Sequence, residues 1–379
     1  MSQIVLALNA GSSTLKFAAY SCEGDRPEAR IISDTLEPGA APASIELVLE
    51  RLRQVTGSVP ARVAHRIVHG GAAFTAPVQV DDSTLEQLDQ LVELAPLHLP
   101  PALALLRQAR ERLPQALHVA CFDTAFHRTL PEVARRFALP SELYERGVRR
   151  YGFHGLSYEY VLSTFGAAPP RRLIVAHLGS GASLTAISEG RSIDTSMGLT
   201  PAGGIPMGTR SGDLDPGVCL HFLREGGRSL DDLERLVNHA SGLKGLAGSA
   251  DMIELTARAR AGDAPAMAAL ELFAYAIKKQ LGAYWAVLGG LDCLVFTGGI
   301  GEHAPLVRQL ACRGLEGLGL ELDEARNWAN APLISSARSA CEVRVVATDE
   351  DAMLARAARA LVPRPQGSSG GPETRVSRS

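Results

Sequence analysis

Apolar and polar positions along the chain fall into two patterns. Short unbroken apolar runs bounded by glycine and small polar residues read as buried strands, and longer stretches with apolar residues three and four apart read as helices. Gln3-Ile4-Val5-Leu6-Ala7-Leu8 predicts a buried strand and Phe17-Ala18-Ala19-Tyr20 another, so that residues 3–35 read as several strands. A helix is predicted over 43–55, a strand over 62–71 that runs into Gly70-Gly71, and helices over 83–94 and 100–112. The run 118–127 reads as a strand ending in polar residues, where α/β proteins place their sites. A second block opens with the apolar run Arg172 to Leu178, and Leu184 to Ile187 resumes a strand after a turn. Asp263 is placed to N-cap a helix over 264–288, whose Leu270, Phe273, Ile277, Leu281 and Tyr284 form one core stripe. Strands are predicted over 291–296 and 343–347, and Thr348-Asp349-Glu350-Asp351 opens a last helix.

Two turns stand out because they repeat. Asn9-Ala10-Gly11-Ser12-Ser13-Thr14-Leu15-Lys16 joins the first two strands, and Gly179-Ser180-Gly181-Ala182-Ser183 joins the first two strands of the second block. Small residues let a ligand approach the backbone, whose N–H groups cup an anion, and Lys16 adds a point charge. The stretch lacks the spacing and the helix of the G-x-x-x-x-G-K-[ST] loop, and by itself fits an ordinary hairpin as well as a phosphate cradle. Two halves that each open this way predict a duplicated α/β fold with a ligand cleft between them. Thr297-Gly298-Gly299-Ile300-Gly301-Glu302 is a further glycine turn, and the helix after it offers an N-terminus to a nucleotide. The glycine-dense stretch 197–217 is a long loop of the kind that carries function.

Composition narrows the function classes. A net charge of −3, from 38 Lys+Arg against 41 Asp+Glu, gives no electrostatic case for a nucleic-acid or membrane partner. No apolar run is long enough to span a bilayer, and no basic leader precedes the first strand. The six cysteines have no CxxC spacing and read as reduced thiols of a cytoplasmic protein. From residue 363 onward the chain is Pro, Gly, Ser and Arg with almost nothing apolar, which predicts disorder.

The polar residues at strand ends and glycine turns are Asn9, Lys16, Arg66, Asp123, His154, Arg210 and Glu350. Arginines suit planar anions such as carboxylate or phosphate. An amide and a carboxylate, Asn9 and Glu350, suit Mg²⁺, a hard cation held by few protein ligands. No nucleophile elbow is present. Phosphoryl transfer needs positioning and charge neutralisation, which this set supplies. Each residue alone has an ordinary explanation, a surface ion pair or a core histidine; their joint placement after apolar runs does not.

The motifs resemble those of the acetate kinase family. They are the 9–16 stretch, His65-Arg66-Ile67-Val68-His69-Gly70-Gly71, Leu94-Ala95-Pro96-Leu97-His98, Phe122-Asp123-Thr124-Ala125-Phe126-His127, Tyr151-Gly152-Phe153-His154-Gly155, Asp194 to Gly198, Met207-Gly208-Thr209-Arg210, Gly298 to Glu302 and Thr348-Asp349-Glu350. They run in the family's order across residues 3–360. The resemblance implies the duplicated actin-like ATPase fold of acetate and sugar kinases, Hsp70 and actin, with residues 1–125 plus 350–362 as one lobe and 126–349 as the other. It implies a homodimer and reversible transfer from ATP to a short carboxylate, giving ADP and acyl phosphate, with Mg²⁺ (Mn²⁺ as substitute).

By position, Asp123, His154 and Arg210 would be catalytic, Arg66 would bind substrate, and Val68, Leu97 and Phe153 would receive the acyl methyl. Asn9 and Glu350 would hold the metal. Lys16, His177, Leu178, Gly179, Ser180, Gly181, Asp251, Met252, Ile253, Gly299, Ile300, Gly301, Glu302 and His303 would meet the nucleotide. The chain departs from the family pattern chiefly on that nucleotide side: Ser180 replaces Asn, Ile253 replaces Arg and His303 replaces Asn. Leu99 also stands where the pattern has Asn, and Gly155-Leu156-Ser157-Tyr158 where it has Gly-Thr-Ser-His. Acetate is the implied acceptor; propionate, a longer acyl chain, or a nucleotide-binding module with little turnover are the competing readings.

Overall fold

The computed structural model describes residues 3–10, 15–23, 26–36 and 45–362. The turn at 11–14 and the tail 363–379, both read from the sequence above, lie outside the described residues. The chain divides into two compact units, one holding residues through Ala125 and from Glu350 onward, the other Phe126–Asp349.

The first unit is built on strands β1 (Gln3–Ala10), β2 (Leu15–Glu23), β3 (Arg26–Leu36), β4 (Arg62–Ile67), β5 (Val78–Gln79) and β6 (Leu117–Phe122), in the order β3-β2-β1-β4-β6-β5. β1, β2 and β3 pair antiparallel, and β4 and β6 run parallel to β1. Ile4 to Leu8 is continuously buried, as a central strand covered on both faces must be. The helix Ile45–Thr56 buries Ile45, Val48, Leu49 and Leu52, one stripe at helical spacing. The predicted helix at 83–94 is two pieces, Asp82–Gln90 and the tighter turn Val92–Leu94. The last helix, Glu350–Ala360, packs on β1, β4 and β6 through Ala352, Leu354, Ala355 and Ala358. Arg62 of β4 donates to Ala358 O at 2.6 Å and Leu361 O at 2.9 Å, satisfying carbonyls at that helix's C-terminus.

The second unit repeats the plan with β7 (Arg172–Leu178), β8 (Ala182–Ser188), β9 (Arg191–Thr195), β10 (Cys293–Thr297) and β11 (Glu342–Val345) in the order β11-β10-β7-β8-β9. Again a three-strand antiparallel meander is followed by two strands parallel to its first. β7 therefore corresponds to β1, β10 to β4 and β11 to β6. The helix Ala264–Leu288 forms as predicted, with Asp263 accepting from Ala266 N at 3.2 Å and the five stripe residues buried. The helices Pro216–Arg224 and Leu230–His239 are additions to the predicted elements, and neither buries a residue. No helix among the described residues is long and apolar enough to cross a membrane.

Candidate active site

In the first unit, Asn9, Arg66 and Asp123 stand at or just beyond the carboxyl ends of neighbouring parallel strands, where α/β sheets bind ligands. Arg66 Nε lies 3.0 and 3.1 Å from the two Asp123 carboxylate oxygens, its Nη2 donates to Oδ2 at 2.6 Å, and its Nη1 donates to Asn9 Oδ1 at 2.9 Å. Glu350, first residue of the returning helix, brings a carboxylate oxygen to 3.9 Å from Arg66 Nε. Asp123 is 1% exposed and the Arg66 side chain 17%. Burial acts to lower the Arg66 pKa, but Asp123 and Glu350 more than offset it, and the net shift is upward. The guanidinium is therefore held charged and in one orientation. Lys16 is exposed and pairs in register with Asn9 across β1 and β2. Val68 is buried and Leu97 half-buried in the same unit, whereas Phe153, 1% exposed, belongs to the other.

In the second unit the turn between β7 and β8 lies under two donors. A β-carbon added at Gly181 would lie 3.4 Å from both Arg210 Nη1 and His154 Nε2. Two basic side chains thus converge on one point above a residue that has no side chain. His154 Nδ1 lies 2.8 Å from Ser183 Oγ, which in turn bonds to the Tyr158 hydroxyl. Burial raises the Tyr158 pKa more than its bond to Ser183 lowers it, so the phenol stays protonated. The His154 ring stacks on His177, with centroids 4.2 Å apart. His177 continues through Ser157 (2.8 Å) to Thr348 (2.9 Å), whose backbone N–H donates to Glu302 Oε1 at 3.2 Å. Arg210 Nη1 donates to Pro201 O at 3.3 Å, and Met207 N and Gly208 N bond to Arg210 O and Ser180 O, which ties the Arg210 loop to the Gly179–Gly181 turn.

The nucleotide-side candidates are a mixed set. His177 and Leu178 end β7, Ser180 is exposed, and Gly179 N bonds to Gly181 O. Asp251 caps the helix Met252–Arg260, accepting from Ile253 N at 2.7 Å and Glu254 N at 3.2 Å; Met252 is buried and Ile253 is 82% exposed. Gly299 to His303 form the short helix Gly298–His303 after β10. Its carbonyls at Gly301 and Glu302 accept from Arg308, a guanidinium with no exposed surface that also bonds to Asn327 and Asn330. Ser183, Ser157, Tyr158, Thr348 and Arg308 bond to these candidates or to their neighbours and are given no role by the sequence reading. Ser183 ends the Gly179–Ser183 stretch and Ser157 and Thr348 lie in the motifs named above, but the bonds from Ser183 to His154 and from Ser157 to His177 and Thr348 join residues distant in the chain.

The donor set also bears on metals. Among the described residues no group of three or more His, Cys, Asp or Glu could hold a metal ion. The oxygen donors around Arg66 are the Asp123 carboxylate, 1% exposed and engaged by the guanidinium, the Asn9 amide, 8% exposed, and the Glu350 carboxylate, 15% exposed. Few, hard, half-buried oxygens fit Mg²⁺ carried in with a polyphosphate and do not fit a zinc or iron site.

Comparison with known proteins agrees with this architecture. Residues 37–356 match the model of the acetokinase family. The acetate kinase of Methylocella silvestris is 44% identical over 96% of this chain and 98% of its own length. Among solved structures, a propionate kinase from Francisella tularensis is 35% identical with a TM-score of 0.87, covering 95% of this chain and all (100%) of that one. The acetate kinase of Porphyromonas gingivalis is 34% identical with a TM-score of 0.84 over 94% of this chain and 98% of that one.

Proposed function

The chain belongs to the acetokinase family, is a kinase with the duplicated actin-like fold, and from that premise we propose how its residues divide the reaction ATP + acetate ⇌ ADP + acetyl phosphate. A carboxylate oxygen of acetate attacks the γ-phosphorus. The bond from that phosphorus to the β–γ bridging oxygen breaks, and its electron pair leaves on ADP. No covalent enzyme intermediate is needed, in keeping with a site that has paired donors and no nucleophile–base elbow.

Arg66 binds the acetate carboxylate with the N–H groups not taken by Asp123 and Asn9. Asp123 acts through it as a positioning residue. Val68 and Leu97 are the apolar contacts offered to the acyl methyl. Arg210 and His154 bind the transferring phosphoryl group, whose equatorial oxygens gain charge as it moves. A protonated Tyr158 donating to Ser183, and Ser183 to His154 Nδ1, leaves the proton of a neutral His154 on Nε2, the atom beside Gly181. Asn9 and Glu350 would hold Mg²⁺, which neutralises phosphate charge when bound. The Gly179–Gly181 turn and the Gly299–His303 segment, with Asp251, Met252 and Ile253, are the proposed nucleotide contacts, and Lys16 a phosphate contact. A cytoplasmic homodimer is the proposed state.

The observation that carries this reading is the shared approach of Arg210 Nη1 and His154 Nε2 to the point above Gly181, which supports a phosphoryl-binding role for the pair. The test is formation of acetyl hydroxamate from acetate, hydroxylamine, ATP and Mg²⁺. Absence of product with ATP, other nucleotides and pyrophosphate would leave only nucleotide binding. The same assay over acetate, propionate and butyrate reads acyl length, where one methylene is worth about 1–3 kcal/mol; a strong preference for butyrate would reject acetate.

A further inference from the structure

His154 is unusual in its backbone. Its φ is +59°, in the left-handed region that costs a non-glycine residue free energy, and it stands immediately before the helix Gly155–Thr164. Such strain persists only where the surroundings over-determine it, so something must hold the turn. The start of the segment is fixed by Tyr151 N on Gly198 O at 3.0 Å and by Arg150 Nη1 on the carbonyls of Thr195, Ser196 and Met197. At the residue next to His154 the hold comes from His127. Its Nε2 lies 3.0 Å from Phe153 O and its Nδ1 2.8 Å from Ser192 Oγ. Gly152, at φ +74°, passes so close that an added β-carbon would sit 2.5 Å from the His127 ring and from Thr195. The ring also meets Tyr158 edge-on at 5.6 Å, the residue whose hydroxyl bonds to Ser183 beneath His154.

We infer that His127 is a positioning residue for His154: with its proton on Nε2 it donates to Phe153 O, clamps the left-handed turn, and so sets the His154 ring against Ser183 and toward Gly181. The tautomer follows from the partners. A carbonyl only accepts, so Nε2 must carry hydrogen, and Nδ1 then accepts from the Ser192 hydroxyl. Burial keeps the ring neutral, with its pKa pushed down to about 4 although the bond to Phe153 acts the other way. The ring is 2% exposed, so it holds His154 without touching substrate. This inference rests on the role proposed above for His154 in phosphoryl transfer.

The test compares His127→Leu, His127→Gln, His154→Ala and the Leu/Ala double variant of the full chain, with kcat and both KM values from the hydroxamate assay and ring signals from ¹⁵N-histidine NMR. Gln keeps an N–H donor near the Nε2 position; Leu does not. The expected result is a kcat for His127→Leu lowered at least tenfold with KM for acetate and ATP within threefold, and recovery of most of the loss in His127→Gln. The double variant should be no slower than His154→Ala alone, since a clamp has nothing to hold once its ring is gone. Losses that multiply in the double variant would overturn the inference, as would a wild-type His127 ring protonated on Nδ1, a readout that needs no variant to fold. Should His154→Ala keep full kcat, the role given to His154 fails, and NMR then decides the clamp separately. Displaced His154 signals in His127→Leu but not in His127→Gln support it; unmoved signals reject it.

Discussion

Asp123→Asn is the substitution whose cost the structure specifies most fully. The carboxylate takes Arg66 Nε at 3.0 and 3.1 Å and Nη2 at 2.6 Å. An amide keeps one oxygen and turns an NH₂ toward a guanidinium that has only donors, so one charge-assisted bond is lost, worth about 1.5–3 kcal/mol. Removing one partner of a fully buried ion pair costs about 3–5 kcal/mol. Arg66 is 17% exposed and keeps Glu350 at 3.9 Å, so the loss falls below that range and within the single-bond figure, about 2 kcal/mol. For a unit of this size that lowers Tm by roughly 4–8 °C. The same loosened guanidinium should bind and orient acetate less well, and about 2 kcal/mol in the transition state is roughly a thirtyfold fall in kcat/KM for acetate. Calorimetry and the hydroxamate assay read the two effects. The exposed pair Arg107–Asp89, with side chains 41% and 50% exposed, is the control: Asp89→Asn should move Tm by about 2 °C or less, since exposed pairs contribute roughly 0.2–1 kcal/mol, with about half a kcal/mol typical. A Tm for Asp123→Asn no lower than that control, with kcat/KM within threefold of wild type, would refute the argument.

Other consequences are as specific. Gly242→Ala puts a β-carbon 2.1 Å from Met207 O and 2.7 Å from Arg210 O at φ +61°, so it should push the Arg210 loop aside, costing roughly 2 kcal/mol or more of stability and most of the activity; wild-type melting and kcat would contradict this. Arg210→Ala should lower kcat by orders of magnitude in a chain whose circular dichroism and Tm stay near wild type, and an unchanged kcat would remove Arg210 from the reaction. Acid should destabilise the second unit. His127 has a folded pKa of about 4 against an ordinary 6.5, so the unfolded chain binds the extra proton between those values and stability falls as pH drops through that window. That single group accounts for about 3 kcal/mol between pH 7 and pH 4, so the urea midpoint of His127→Gln should fall less steeply with acid than wild type; parallel slopes would refute it.

Legibility from sequence followed the physics of each feature. Strands β1, β7 and β10 and the helix Ala264–Leu288 were readable because complete burial on both faces, or one long apolar stripe with a capping Asp263, leaves an unbroken local pattern. The helices Pro216–Arg224 and Leu230–His239 were not read, although Leu230, Leu233, Leu236 and Val237 stand at helical spacing behind a Ser229 capping box; that stripe is not matched by burial, since neither helix buries a residue. Asp251, expected at the nucleotide from motif position, also N-caps the helix Met252–Arg260, a local role that its place before a helical stretch makes readable.

By itself the sequence determined the strand–turn–strand repeat, the family, and which polar residues follow apolar runs, because periodicity, turn composition and motif order are local properties of a chain. Only the tertiary structure decided which of those polar residues share a site. Arg66 and Asp123 are 57 positions apart, and parallel pairing of β4 with β6 brings them into hydrogen-bond contact. His154 meets Ser183 from 29 positions away, and a strained backbone at His154 is stabilised by a carbonyl bond to His127, 26 positions from Phe153. Register between strands and the direction of a single strained turn depend on contacts far apart in the chain, and no local pattern encodes them.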